Sequence, residues 1–257
     1  MAAVSLLRVP ERPCDHVRLG SAQVIDAQML FPLAKGLKKY IAGLGKPLKQ
    51  IILSHNHPDH WFGAEILEDM APIVSSANII NDLKTGGMRY IKIMSKNKKL
   101  EGKIPSRAIV PSGELKLGAQ NWDGLDVIVE EHPDQESHHS LLIKVPAYGI
   151  MIGQDLFYND RFLVASERSR NKNWQTLLEN LRDNESKDKY KTLLVGHGNN
   201  GGPEILDEDI EYLKTLEAVL AQGLTQAETK QAMFKKYPNK GGKNFIDISL
   251  RNLFSKH

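Results

Sequence analysis

The stretch His55-Asn-His57-Pro-Asp59-His60 places three imidazoles and a carboxylate within six residues, directly behind the apolar run Ile51-Ile52-Leu53. A short β-branched run that follows a turn (Gly45, Pro47) is the sequence form of a strand covered on both faces, so the histidines begin where that strand ends. Residues two apart in extended chain project to the same side, which aims His55 and His57 at one point. Two neutral imidazoles crowded together gain little from each other and much from a first-row cation. Pro58 turns the chain, so Asp59 and His60 aim at a second point, and one motif can serve two metals. The plainer reading is a polar loop with coincidental histidines. Only nine histidines occur in 257 residues, however, and their concentration behind a buried strand argues against chance.

Two further apolar strands end on possible ligands, Gly149-Ile-Met-Ile-Gly-Gln-Asp155 and Thr192-Leu-Leu-Val-Gly-His197. Open α/β architectures collect ligands at the carboxyl ends of their strands, so these positions can converge with the first motif. Taken singly, Asp155 and His197 read equally well as a turn aspartate and a capping histidine.

Extended to Gly63, the first motif resembles the H-x-H-x-D-H-x-x-G signature of the metallo-β-lactamase superfamily. Gly153-Gln-Asp155 is similar to that family's later Gly-Asp segment and Gly196-His197-Gly198 to its last Gly-His-Gly. Asp26 resembles the acid of its Asp-Thr-Gly, from which Ala27-Gln28 depart. The resemblance covers residues 24 to 220 at the level of element order and implies an α/β fold, the αββα four-layer sandwich. Members usually place two or three strands before the Asp26 position, so a shortened N-terminal sheet is expected. The resemblance also implies His55 and His57 on one metal, Asp59, His60 and His197 on the other, and Asp155 bridging both. Many members carry Gly-His-Thr-x-Gly ahead of the strand that corresponds to Ser140 to Val145. Here Asp134-Gln-Glu-Ser-His-His139 stands in its place, which puts the remaining ligand on Glu136, with His139 as the alternative.

The chemistry implied is hydrolysis of an ester, thioester, lactone or amide. Two Zn²⁺ ions lower the pKa of a shared water to roughly 7, and Asp59 orients the resulting hydroxide and takes its proton. Iron or manganese are the alternative metals. Two other classes compete with this one: a mononuclear iron dioxygenase acting on sulfur compounds, and a non-catalytic binding protein on the same scaffold. The chain offers no G-x-S-x-G elbow. Trp61, Phe62, Phe157 and Tyr158 flank the ligand positions, either lining a substrate pocket or packing in the core.

The elements that must position these residues can be read from the pattern. A chain of 257 residues with 41% hydrophobic content suits one large domain with a sizeable core, the C-terminal helices of residues 204 to 257 included. Val24 to Ala27 reads as a strand, and residues 32 to 43 as a helix opened by Pro32 and closed by Gly43. A second helix from Gly63 to Met70 and a short strand at 72 to 76 follow. The amphipathic segment 77 to 95 is interrupted at Gly86-Gly87. Residues 108 to 129 read as an antiparallel meander, 140 to 155 as a hairpin whose second strand ends on Asp155, and 173 to 181 as a helix.

The formal charge of +3, with acids and bases intermixed, calls for neither a nucleic-acid groove nor an acidic membrane surface, and the basic run 96 to 103 reads as a solvated turn. A small-molecule substrate is the expected partner. The single cysteine, Cys14, excludes an internal disulfide and a thiolate cluster. With no apolar run of about 20 residues and no signal-peptide pattern, the expected compartment is the cytoplasm.

Overall fold

A computed structural model describes residues 5–6, 21–186 and 189–255; Cys14 lies outside them. The backbone forms two compact units, one of the residues up to His132 with His139–Tyr148, the other of Pro133–His138 with Gly149–His257.

The first unit opens with β1 (Ser5–Leu6), β2 (Ala22–Ile25), α1 (Phe31–Ala42) and β3 (Leu48–Ile52). The one-turn helices α2 (Pro58–Trp61) and α3 (Ala64–Leu67) come next, then β4 (Ile73–Ser75), α4 (Ala77–Met94) and β5 (Gly113–Glu114). These strands make one sheet in the order β1-β2-β3-β4-β5. It is parallel from β2 onward, with the short β1 antiparallel at its edge. Strand β3 is central, Ile52 standing opposite Ile25 on one side and Val74 on the other. Ile51, Ile52 and Leu53 have no exposed surface, and burial of each contributes about 1.5–3 kcal/mol. The histidine motif thus starts from a rigid, central position. The unit continues with β6 (Gly118–Trp122), β7 (Leu125–Pro133) and β8 (His139–Val145), strands of the second five-stranded sheet.

Three expectations change here. The helix expected from Gly63 to Met70 is reduced to the single turn α3, and another one-turn helix, α2, lies ahead of Gly63. Gly63 N–H donates to the Gln28 carbonyl (2.8 Å), and a Cβ on Gly63 would overlap the Ala27 carbonyl oxygen. Helix α4 runs without interruption through Gly86-Gly87. Gly87 is the point where the helix rests on its neighbours, since a Cβ there would lie 3.0 Å from the Ala108 Cβ. Finally, the region expected as a meander is split: β5 pairs parallel with β4 in the first sheet, and only β6 and β7 form an antiparallel pair.

The second unit holds β9 (Ile150–Tyr158), α5 (Arg168–Leu181), β10 (Thr192–His197), α6 (Glu204–Leu220), α7 (Gln226–Lys236) and α8 (Lys243–Leu253). Strands β9 and β10 run parallel to each other. Strand β9 does not end on Asp155 but continues to Tyr158, because the chain bulges at Gln154 (φ 48°), where the register against β10 shifts. The bulge re-aims Asp155 inside the strand. Helices α6, α7 and α8 bury Ile205, Leu213, Leu216, Met233, Ile246 and Leu250. Thr225 and Glu228 close a reciprocal capping box at the start of α7. No helix of the described residues is long and apolar enough to cross a membrane.

Candidate metal centre

His55 and His57 follow β3 directly, and Pro58 opens α2, where its missing N–H and fixed φ suit the first helical position. Asp59 and His60 therefore sit in the first turn of that helix. The rings of His55 and His57 are 4.8 Å apart, those of His55 and His60 4.1 Å. The Asp59 Oδ2 lies 3.8 Å from His60 Nε2. The indole of Trp61 donates to the Asn56 carbonyl (3.0 Å), which holds the loop carrying both histidines.

Beneath these side chains lies a buried network centred on Asp26. Asp26 takes a left-handed φ of 67° at the end of β2. Its Oδ1 accepts the Ser54 backbone N–H (2.8 Å), and its Oδ2 accepts the Ser54 hydroxyl (2.8 Å) and faces His60 Nδ1 at 2.7 Å. Ser54 Oγ is also 2.9 Å from His55 Nδ1. The serine has one proton and gives it to Asp26, so His55 donates from Nδ1 to Ser54, as His60 does to Asp26. A neutral ring at either position then carries its proton on Nδ1, which makes Nε2 the coordinating nitrogen, the tautomer a metal requires.

In the second unit, His197 Nε2 is 3.3 Å from Asp155 Oδ2, and the Tyr158 hydroxyl donates to the same oxygen at 3.2 Å. Glu136 is buried, and a carboxylate oxygen of it comes within 4.8 Å of one of Asp155. Its turn is closed by hydrogen bonds from Asp134 N–H to the His138 carbonyl (2.8 Å) and from Gln135 N–H to that of Ser137 (3.0 Å). The Gly-His-Gly segment has a steric reason: a Cβ on Gly196 would overlap Asp155 Oδ1, and Gly198 takes φ 110° against the Asn159 carbonyl. The Tyr158 backbone N–H donates to Asp209 Oδ2 (2.8 Å). Asp209 is wholly enclosed on α6, and burial pushes its carboxyl well above the usual range.

His139, the alternative ligand, lies in the first unit with its Nδ1 2.8 Å from Asp82 Oδ2. Trp61, Phe62 and Phe157 are entirely buried and serve as core. Tyr158 is buried too, but its hydroxyl reaches a candidate ligand. Sequence patterning missed Ser54 and Asp209, named Gly196 only within the Gly-His-Gly resemblance and Tyr158 only as a flanking aromatic, and set Asp26 aside. The aromatic ring facing His57 is Tyr90 of α4, 6.3 Å away.

The sequence model of the family described as the metallo-beta-lactamase superfamily matches residues 22–197. No curated protein matches the chain in sequence. Among solved structures, the chain is similar to a metallo-beta-lactamase from Pontibacter korlensis, with TM-score 0.58 and 17% identity over 76% of this chain and 83% of that one. It is similar to the metallo-beta-lactamase FIM-1 from Pseudomonas aeruginosa in its mono-zinc form, with TM-score 0.54 and 13% identity over 76% and 80%. It also resembles a double mutant of the sec-alkyl sulfatase PisA1, with TM-score 0.65 and 13% identity over 92% of this chain but 45% of that one. The chain thus spans less than half of the sulfatase. These likenesses establish a shared fold.

Proposed function

The chain belongs to the metallo-beta-lactamase superfamily, and from that premise we propose that it is a dinuclear metal-dependent hydrolase. One ion would be held by His55, His57, Glu136 and Asp155, the other by Asp59, His60 and His197.

The observation that carries this reading is the donor chemistry: four imidazoles and three carboxylates, of which only His57 and Asp59 are not fully buried. Burying so many ionisable groups without a cation costs several kcal/mol each. The network from Asp26 through Ser54 adds support, because it makes Nε2 of His55 and of His60 the coordinating nitrogen. Imidazole and carboxylate without thiolate suit zinc, and Glu136 in place of an imidazole makes its group harder, which extends the choice to manganese or iron.

When bound, the ions supply Lewis acidity and a water of lowered pKa. The protein's own part is to shape and hold the acceptors. Asp59, with a quarter of its side chain exposed, is the carboxylate open to solvent and would take the proton at Oδ2. The Tyr158 hydroxyl fixes one oxygen of Asp155. No serine or cysteine nucleophile is needed, and an ester, thioester, lactone or amide is the substrate class proposed. The names of the structural relatives, lactamases and a sulfatase, support hydrolysis without choosing among these bonds.

The test is the metal content of protein purified without added metal. Two zinc ions per chain, reduced in His55→Ala, is the expected result. A single iron, or no metal, would overturn the reading.

A further inference from the structure

Residues 84 to 103 contain seven of the chain's 34 cations and, as their one acid, Glu101, so the remainder of the chain is net negative. The charges that look intermixed in composition are segregated in space. Helix α4 buries Ile79, Leu83, Gly87 and Ile91. On the opposite face Lys84, Met88 and Lys92 follow at steps of four, and Lys96 continues the row just past the helix end. Arg89 and Ile93 flank that row, and all six side chains are exposed. Lys98, Lys99 and Lys103 extend the basic surface beyond the helix.

Among the described residues, none of these seven cations is in an ion pair with a carboxylate. Elsewhere on the surface such pairs are frequent, as Lys38 with Asp69, Arg107 with Glu68 and Lys230 with Asp247 illustrate. Like charges one turn apart repel and weaken the helix that carries them. An anionic surface facing the row would relieve that repulsion.

The apolar members of the face decide which anionic surface fits. Met88 is 40% exposed and Ile93 50% exposed in the midst of the lysines. Flexible aliphatic side chains among cations suit the boundary between lipid headgroups and acyl chains. A single-stranded nucleic acid would call for aromatic stacking platforms, and this face has none. We propose that the exposed face of α4, with Lys98, Lys99 and Lys103, docks the protein peripherally on anionic phospholipid headgroups. The same helix carries Tyr90, whose ring stands 6.3 Å from that of His57. Docking would therefore hold the histidine motif close to the lipid surface. The inference stands independently of the metal reading.

The experiment is co-sedimentation of the full chain with vesicles of phosphatidylcholine alone and of phosphatidylcholine with phosphatidylserine. Binding to the mixed vesicles only, weakening as salt screens the charges, is expected. Each unit of charge close to such a surface changes partitioning roughly fivefold, so Lys92→Glu with Lys96→Glu, a change of four units, should reduce binding by on the order of 10²–10³-fold. Ile93→Ser should weaken binding while leaving its salt dependence unchanged. Lys235→Glu with Lys236→Glu, exposed cations of α7, should leave it intact. Circular dichroism checks that each variant is folded. Equal binding to both vesicle types, binding to neither, loss in the α7 variant as great as in the α4 variant, or capture of single-stranded RNA in place of vesicles would each overturn the proposal.

Discussion

His60 Nδ1 lies 2.7 Å from Asp26 Oδ2, and neither side chain has any exposed surface. One carboxylate, from a strand end 34 residues upstream, thus sets the tautomer of His60 directly and that of His55 through Ser54. Asp26→Asn keeps one acceptor and loses the charge, and metal affinity should fall on the order of 10–100-fold. Asp26→Ala strands the Ser54 N–H, the Ser54 hydroxyl and His60, which should cost about 3 kcal/mol or more in urea unfolding. Unaltered metal binding by both variants would show that the network is irrelevant to the site.

Asp59→Asn separates binding from chemistry. The amide preserves volume and one coordinating oxygen but cannot take a proton, so turnover should fall by roughly 10²–10⁴. Metal held by the His55 and His57 group should remain. Turnover and metal stoichiometry measured on one preparation decide the matter, and retained turnover would reduce Asp59 to a turn residue.

The exchange of Glu136 for an imidazole position yields a paired comparison. Removing the Glu136 carboxylate with Ala should weaken metal on the order of 10–100-fold, at the group it would share with Asp155. His139→Ala loses the contact to Asp82, about 1 kcal/mol of stability, and should leave metal content unchanged. The reverse pattern would make His139 the ligand.

Two glycines should respond oppositely to alanine. At Gly196 a Cβ meets Asp155 Oδ1, so Gly196→Ala must push that carboxylate aside and deplete metal. At Gly86, within α4, a Cβ meets nothing within 4 Å, and Gly86→Ala should stabilise the helix by roughly 0.5–1 kcal/mol. Calorimetry with metal analysis reads both.

Asp209 supplies a pH dependence. Burial raises its carboxyl above the ordinary value, so the folded state favours the protonated form. Its contribution to stability is complete below the ordinary carboxylate pKa and is lost as pH rises toward the raised folded value. Asp209→Asn keeps an oxygen for the Tyr158 N–H and cannot ionise. Its stability should therefore be flat across that window and exceed that of the unmodified protein at neutral pH by about 1–3 kcal/mol. Urea unfolding at mildly acidic and mildly alkaline pH measures the difference, and parallel profiles would assign the pH dependence elsewhere.

The residues that could be read from the chain alone were those whose geometry is local. The strand before the histidines announces itself by three consecutive buried aliphatic residues, whereas the chain bends at His55 and Asn56, so the 4.8 Å approach of the His55 and His57 rings does not come from extended-chain alternation. Helix α1 was legible from its proline and glycine punctuation. What depended on distant chain was not legible. The role of Asp26 needs Ser54 and His60, the glycine at 196 needs the Asp155 carboxylate, and the close seat of Gly87 in α4 needs Ala108 and Trp61 beside it. Composition likewise averaged away the basic face of α4, because a sum over the chain carries no positions. Sequence by itself therefore determined that the histidine motif follows a buried strand and that His197 ends one, since that follows from backbone period and burial, but not that β9 runs on past Asp155. Tertiary structure alone decided their tautomers, their supports and the direction in which they aim, because those depend on packing between segments that no local pattern relates.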